Sequence, residues 1–528
     1  MIRIRNIKLK IDHSEADLDS KVSKLLRCSE DQIDYMRIIK KSLDARKQEQ
    51  FYFIYVVDVQ VKNEQHFHLP KNMDVSKVIP AYYKAPKAGE LELKDSIAVI
   101  GFGPAGMFAA LMLAQNGYKV NVYERGNSIE ERINAVDKFW KEAILDEESN
   151  VQFGEGGAGT FSDGKLTTRI KDIRVSKVLE TFVEFGAPEE ILYEAFPHIG
   201  SDIIRDVVVN IRKEIIKLGG TINFNSKFEK VNIESNELVS IVINGETIPC
   251  TQAILAIGHS ARDTFKVLHE QGIAMEPKAF AVGFRIEHKQ ALINEAQYKN
   301  FANNFNLPVA EYHLTHNASN GRGVYTFCMC PGGEVVASTS LKEHVVVNGM
   351  SNYARNGDNA NSAILVQITP NDYGEGILAG LNFQEELEKK AYIMGGSNYK
   401  APAQRLVDYM NNIKGDKLGN VTPTYQCGVT LSNLNELFEQ DMNDALKEGI
   451  TSFNKKIKGF INDDAIITGV ESRTSSPLRI LRDRELLESL NTKGLYPAGE
   501  GAGYAGGIVS AAIDGIKCAE QIIMKYAK

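Results

Sequence analysis

Short apolar runs, amphipathic stretches and glycine clusters alternate along most of the chain. Ile97–Ile100 is a four-residue apolar run, the pattern of a strand buried on both faces of a parallel sheet. Gly101, Gly103 and Gly106 follow at G-x-G-x-x-G spacing, with Pro104 and Ala105 opening a helix. The helix continues through Met107–Ala114 and ends near Gly117. A second strand, Lys119–Glu124, closes on an acidic residue. Strand, glycine turn, helix, strand and terminal acid in that order predict a dinucleotide-binding βαβ unit. The first glycine allows the tight turn, the second lets backbone approach a diphosphate, and the third lets helix pack on strand. The pattern leaves FAD and NAD(P) open, and Glu124 disfavours a 2′-phosphate through like-charge repulsion.

The same reading divides the rest of the chain. Residues 1–90 predict a small α/β module of βαββ type. Ile2–Ile11 alternates as a strand, Leu18–Cys28 has helical spacing, Ile33–Lys41 is a strand or short helix, and Phe51–Val61 is strongly β-prone. The polar connection SLDARKQEQ lies within it, and the proline- and lysine-rich residues 70–95 read as a linker. Residues 91–270 are the first part of the nucleotide-binding domain. They include a charged helix over 128–146, a glycine-rich loop over 153–169, helices near 174–186 and 200–218, and a meander over 221–250. Ala253–Ile257, ended by Gly258, returns to the first sheet. Residues 271–455 change to a β-rich inserted substrate domain with helices near 383–395 and 401–412. Residues 456–528 close the first domain with a strand, a glycine cluster and a helix opened by Gly506 and Gly507.

Composition adds limits. The 528 residues are 43% hydrophobic and 24% charged, a globular balance spread over two or three domains. No apolar window is long enough for a membrane span, and the first residues lack the continuous apolar core of a secretory signal. Six scattered cysteines suit a reducing cytoplasm. Net charge is −7, yet residues 1–90 carry 17 Lys/Arg against 13 Asp/Glu. That asymmetry gives a weak surface for an anionic partner, and an RNA-binding role is the rival it raises.

Longer stretches point to one superfamily. The segments VIGFGPAGMFAA with VYER, the A-I-G strand end at 256–258 and YPAGEGAGYAGGI at 496–508 resemble FAD-dependent oxidoreductases of the glutathione-reductase-like type. The segments FGEGGAGTFSDGKL, FAVGFRIEH, YTFCMCPGG, NGMSNYARNGDNANSA and GVESRTSSPLRILRD resemble, more closely, the uncharacterised FAD-dependent dehydrogenases. The resemblance implies an α/β fold: a Rossmann-like FAD-binding domain of the glutathione-reductase type, an inserted β-rich α+β domain and a small N-terminal α/β module. It implies non-covalent FAD, with Gly101, Gly103, Pro104, Ala105 and Gly106 at the diphosphate, Glu124 on the adenosine ribose and Arg125 beside the adenine. Gly157, Gly159, Thr160 and Lys165 would line the isoalloxazine, with Gly258 at the returning strand. Gly499 and Glu500 would meet the ribityl chain or diphosphate, and Gly506, Gly507 and Ile508 the pyrimidine side of the flavin. The sequence departs from the family at Cys427, where relatives carry proline.

Beyond the cofactor, the residues offer few groups. No second complete G-x-G-x-x-G and no C-x-x-C occurs, so NAD(P)H is expected only as a transient donor, and no metal site is expected. Cys328 and Cys330 are the one close cysteine pair: a redox dithiol, or two small buried side chains. Arg473, among hydroxyls in ESRTSSPLR, is either a substrate anchor or part of a capped helix start. His288 is a candidate proton donor, or a structural histidine. The expected activity is transfer of a hydride or electron pair between flavin and a small, anionic organic substrate. An RNA-modifying flavoprotein and a non-catalytic redox sensor are the alternatives.

Overall fold

The computed structural model describes residues 1–47, 49–70 and 74–528. Residue 48 of the expected polar connection and residues 71–73 of the expected linker lie outside the described residues.

The parallel sheet is built on the apolar run read from the sequence. Its five strands lie in the order Leu495–Pro497, Ala253–Leu255, Ile97–Ile100, Val120–Tyr123 and Thr221–Asn223. Adjacent strands are all parallel. Helix Pro104–Gln115 is buried over nearly its whole length, because helix Ile508–Lys525 covers it. Gly515 permits that close crossing: a Cβ there would sit 1.9 Å from the Ala105 carbonyl oxygen. Thr221–Asn223 corrects the sequence reading, which placed it in the meander; it is the edge of the parallel sheet. The meander is the three antiparallel strands Phe228–Glu234, Glu237–Ile243 and Glu246–Pro249.

A second, seven-stranded sheet centres on Phe280–Lys289, flanked by Asn359–Ile368 and Ile466–Glu471. Gly323–Cys330 pairs with Asn359–Ile368. Because Ile466–Glu471 sits inside this sheet, the inserted body extends past the boundary expected at residue 455. The helix expected over 401–412 is instead a strand, Ala401–Arg405, followed by a single turn, Leu406–Met410. Its pairing with Ile466–Glu471, which buries Ala401 through Gln404 without a break, overrides local helix propensity.

The N-terminal sheet has the order Ile33–Asp44, Tyr52–Val61, Ile2–Lys10, Val75–Lys77, with helix Glu15–Leu26 packed on it. Ser14 and Asp17 form a capping box at the start of that helix. The module is docked, not tethered. Lys41 N–H donates to the Tyr193 carbonyl at 2.7 Å, Ala195 N–H donates to the Lys41 carbonyl at 2.9 Å, and Lys41 Nζ reaches Glu194 at 2.8 Å. Its basic excess is partly spent internally, since Arg3 and Arg37 both face buried Asp58 and Arg46 pairs with Asp44. Residues near Gly89 run along the closing helix, with Gly89 N–H on the Ile523 carbonyl at 2.8 Å. Among the described residues no helix is long and apolar enough to cross a membrane.

Candidate active site

A cavity of about 1160 Å³ opens at the C-terminal ends of the parallel strands and runs to the second sheet. Such crevices are where open α/β sheets bind ligands. At its inner end the strand Ile97–Ile100 turns at Gly101, whose φ is +92°. A Cβ there would lie 2.4 Å from the Ala256 carbonyl oxygen. Gly103 caps the helix that begins at Pro104, and a Cβ on it would meet nothing closer than Gly157 Cα at 3.7 Å. The free N–H groups of this helix therefore face open cavity.

Glu124 is almost fully buried at the adjacent strand end. Its Oε2 accepts from Phe102 N–H at 2.8 Å, and its Oε1 accepts from Gly126 at 3.0 Å and Gly154 at 2.9 Å. The carboxylate thus pins three loops at the cavity edge. Arg125 lies over the Phe153 ring at 4.1 Å and bridges Glu148 and Asp263.

The glycine-rich loop crosses the cavity from Phe153 to Gly164. Gly156 N–H donates to the Phe102 carbonyl at 2.8 Å, Gly157 lies against Gly103, and Gly159 lies against Ile508. Sequence reasoning missed what holds this loop. Arg132 is fully buried beneath it and donates to the carbonyls of Asn150, Val151 and Glu155 and to Thr160 Oγ1. Burial pushes its guanidinium down to about 9. On an amphipathic helix this arginine reads as one more surface charge. Thr160 is corrected accordingly: its hydroxyl faces Arg132 and Gly157, not the cavity.

The opposite wall is made late in the chain. Gly499 has φ +78°, and Glu500 lies 3.2 Å from His259 Nδ1. The buried His259 Nε2 has no hydrogen-bond partner although the residue lines the cavity. A Cβ on Gly506 or Gly507 would have no atom within 4 Å. Gly507 then caps helix Ile508–Lys525, so a second helix N-terminus faces the same space.

The outer wall belongs to the second sheet and includes Cys328, Glu471, Tyr325 and Phe327. Lys165, directly after the glycine loop, donates to the Met329 carbonyl and pairs with Glu311 at 3.2 Å. Arg285 Nη2 donates to the Cys328 carbonyl at 2.6 Å and to Cys330 Sγ at 3.3 Å. The adjacent Cys330 thiol, with Arg285 and Lys165 nearby, draws the Cys328 thiol below its ordinary value against the effect of burial. The same contact, with burial, pushes the Cys330 thiol up. Burial also pushes the Glu471 carboxyl up to about 7, and its Oε2 is unpartnered.

Three further expected residues are corrected. Arg473 reaches the wall, but its guanidinium is committed to Glu388 at 2.9 Å and to Ser340, so no free fork remains for a substrate anion. Glu388 is held at the same time by Arg262 at 2.7 Å. The stretch after Arg473 forms the strand Leu478–Ile480, not a helix start. His288 is fully buried away from the cavity, with Nε2 on the Phe460 carbonyl at 2.7 Å, and is withdrawn as a proton donor. Gly106 also lies outside the cavity lining, beneath Gly101, where it sets helix packing. Cys427 lies off the cavity, its thiol 3.6 Å from the Phe139 carbonyl.

The residues present fit a flat dinucleotide cofactor. Two helix N-termini face one elongated cavity, glycines leave room at Gly103, Gly506 and Gly507, and a buried ring nitrogen at His259 lacks a partner. Together with the parallel sheet and the acid at Glu124, these features define a dinucleotide-binding α/β protein. Residues 95–297 match the model for pyridine nucleotide-disulphide oxidoreductases, residues 279–474 that for FAD-dependent protein, C-terminal domain-like, and residues 1–60 a domain of unknown function. An uncharacterised protein of Clostridium beijerinckii is 50% identical over 531 residues, covering 99% of both chains. The chain belongs to the family of uncharacterised FAD-dependent dehydrogenases, within the glutathione-reductase-like superfamily, and its cofactor is FAD. Among solved structures, L-proline dehydrogenase from P. horikoshii is similar at 14% identity and TM-score 0.33, over 82% of this chain and 94% of that one. CtdE in complex with FAD is similar at 10% identity and TM-score 0.30, over 81% and 86%. Likenesses at these scores bear on neither mechanism nor substrate.

Proposed function

We propose that the protein transfers a hydride or electron pair between FAD and a small organic substrate, with NAD(P)H as a transient donor. The observation that carries this reading is one continuous cavity. One end is the dinucleotide turn, the other is walled by the second sheet, and Gly506–Gly507 lies between them. FAD supplies the two-electron chemistry when bound. In this reading residues 91–270, with the closing stretch from Leu495 onward, hold it, and the second sheet covers the substrate side. Gly103 and the first helix N-terminus take the diphosphate, and Glu124 fixes the turn that receives the ribose. The N-terminus of Ile508–Lys525 presents a positive dipole end to the reacting ring, where it stabilises negative charge. Tyr325 and Phe327 line the outer wall and keep water from it, and Arg169 gives the mouth a positive charge that favours an anionic substrate.

Anaerobic mixing of the purified protein with NADH and with NADPH, followed by flavin absorbance, tests the reading. Bleaching by either donor, and recovery on adding an oxidised organic acceptor, is the expected result. A colourless protein that takes up no FAD overturns it.

A further inference from the structure

We propose that His259 is the cation that neutralises the FAD diphosphate, and that the cofactor binds together with one proton carried on its ring. This rests on the reading above, in which the diphosphate lies at the N-terminus of Pro104–Gln115.

Three adjacent strands end side by side at the inner end of the cavity. The turn after Ile97–Ile100 packs on the end of Ala253–Leu255, where a Cβ on Gly101 would lie 2.4 Å from the Ala256 carbonyl oxygen. The turn after Leu495–Pro497 packs on its other side, where a Cβ on Gly501 would lie 2.4 Å from the Gly258 carbonyl oxygen. His259 follows Gly258, so it stands between the dinucleotide turn and Glu500. Its side chain is only 10% exposed, and its Nδ1 lies 3.2 Å from Glu500 Oε1. Its buried Nε2 has no hydrogen-bond partner, and the residue lines the cavity. A buried polar atom left so costs free energy that a ligand atom restores.

Charge identifies the ligand atom. The diphosphate is the anionic part of oxidised FAD, and the first turn of Pro104–Gln115 meets it with N–H groups but no basic side chain. The other cations along the cavity are committed elsewhere. Arg125 and Lys227 share Glu148 and Asp263, Arg473 is held by Glu388, and Lys165 pairs with Glu311. Among the described lining residues, that leaves His259 beside the dinucleotide turn.

Neutral imidazole has one N–H and cannot donate to two anions. Held between the Glu500 carboxylate and a diphosphate, the ring takes its charged form. Nδ1–H then faces Glu500, and Nε2–H donates to a phosphate oxygen. Neighbouring charges do not replace it. On the helix that follows, Arg262 is paired with Glu388 and Asp263 with Arg125. Behind Glu500, burial and Arg479 hold the Lys278 ammonium below the ordinary lysine value, with Glu500 opposing them.

The cofactor site is therefore linked to protons. FAD brings the second anion, so above the ordinary histidine range the bound state holds more protons than the free one. Affinity for FAD falls as pH rises there. Below that range the ring is charged before FAD arrives, and the dependence fades.

Calorimetric titration of FAD into the flavin-stripped full chain tests this at about pH 8, where an ordinary histidine is neutral. Parallel runs in HEPES and Tris, which differ in ionisation enthalpy, count the protons taken up. Wild type should take up a proton fraction, and His259→Gln and His259→Asn none. Between about pH 7 and about pH 9, wild-type affinity should fall more steeply than that of the variants, by up to about tenfold per pH unit. If wild type binds FAD without proton uptake, or the variants keep that uptake, the proposal is overturned and the flavin reading survives. If FAD does not bind at all, the reading beneath it fails instead. Should both variants misfold, the wild-type proton count alone decides.

Discussion

Gly106 lies directly beneath Gly101: a Cβ on Gly106 would come within 2.0 Å of the Gly101 carbonyl oxygen. The obstacle is backbone, which has no rotamer with which to step aside. Gly106→Ala should therefore push helix Pro104–Gln115 off its strand and cost at least about 3 kcal/mol, the upper end of ordinary overpacking. Denaturant unfolding of the FAD-free protein reads this directly. A midpoint equal to wild type would refute the packing account.

Gly507 should behave in the opposite way. Its φ of 172° is extended backbone, and a Cβ there would meet no atom within 4 Å. Gly507→Val should cost the FAD-free protein no more than about 1 kcal/mol, the cost of a poorer N-cap residue. Flavin content after reconstitution should fall at least about tenfold, because the branched side chain occupies the space in front of the helix N-terminus. Equilibrium dialysis with FAD measures it, and undiminished binding would place the ring elsewhere.

His288 gives a pH dependence with a definite sign. Burial lowers its imidazole to about 4, whereas an unfolded histidine protonates near 6.5. Between those values the unfolded chain holds more protons, so this residue makes stability fall as pH drops from about 6.5 to about 4. Glu155 and Glu471, both raised to about 7 by burial, act the other way, lowering stability as pH rises from the ordinary carboxyl range to about 7. The difference between wild type and His288→Gln isolates the histidine. It should change on the order of 3 kcal/mol across the window, at about 1.4 kcal/mol per pKa unit. Parallel stability curves for the two proteins would contradict it.

Glu388 sits fully buried between Arg262 and Arg473, which hold its carboxyl well below the usual range. Glu388→Gln should cost about 3–5 kcal/mol, because two buried guanidinium groups lose their counter-charge. Thermal unfolding against wild type checks this. Loss of the tie between helix Ala379–Met394 and the Arg473 segment should also appear as faster proteolysis there.

The sequence made the parallel core legible because each central strand is buried on both faces. Ile97–Ile100 and Ala253–Leu255 therefore show as unbroken apolar runs, and the glycine turn marks where the first one ends. The cavity-lining glycines were legible for the same reason, since only glycine fits where backbone or ligand comes close. Edge and context-dependent elements were not. Thr221–Asn223 carries no pattern that distinguishes a sheet edge from a meander, and Ser475–Ser476–Pro477 reads as a helix entry although Leu478–Ile480 pairs with Met275–Pro277. Long-range partners were invisible. Nothing local shows that Arg132 lies under a loop, that Arg473 is consumed by Glu388, or that His259 meets Glu500.

The parallel sheet ends on its last-made strand. Leu495–Pro497 pairs with Ala253–Leu255, made about 240 residues earlier, and the helix after it covers Pro104–Gln115, made some four hundred residues earlier. While the ribosome is still adding the intervening residues, the nascent chain has a phosphate-binding turn but no lid over it. Enclosure of the cavity is thus a late event in biogenesis, and a chain stalled before its final helix would leave the largely buried face of Pro104–Gln115 exposed to chaperones and proteases.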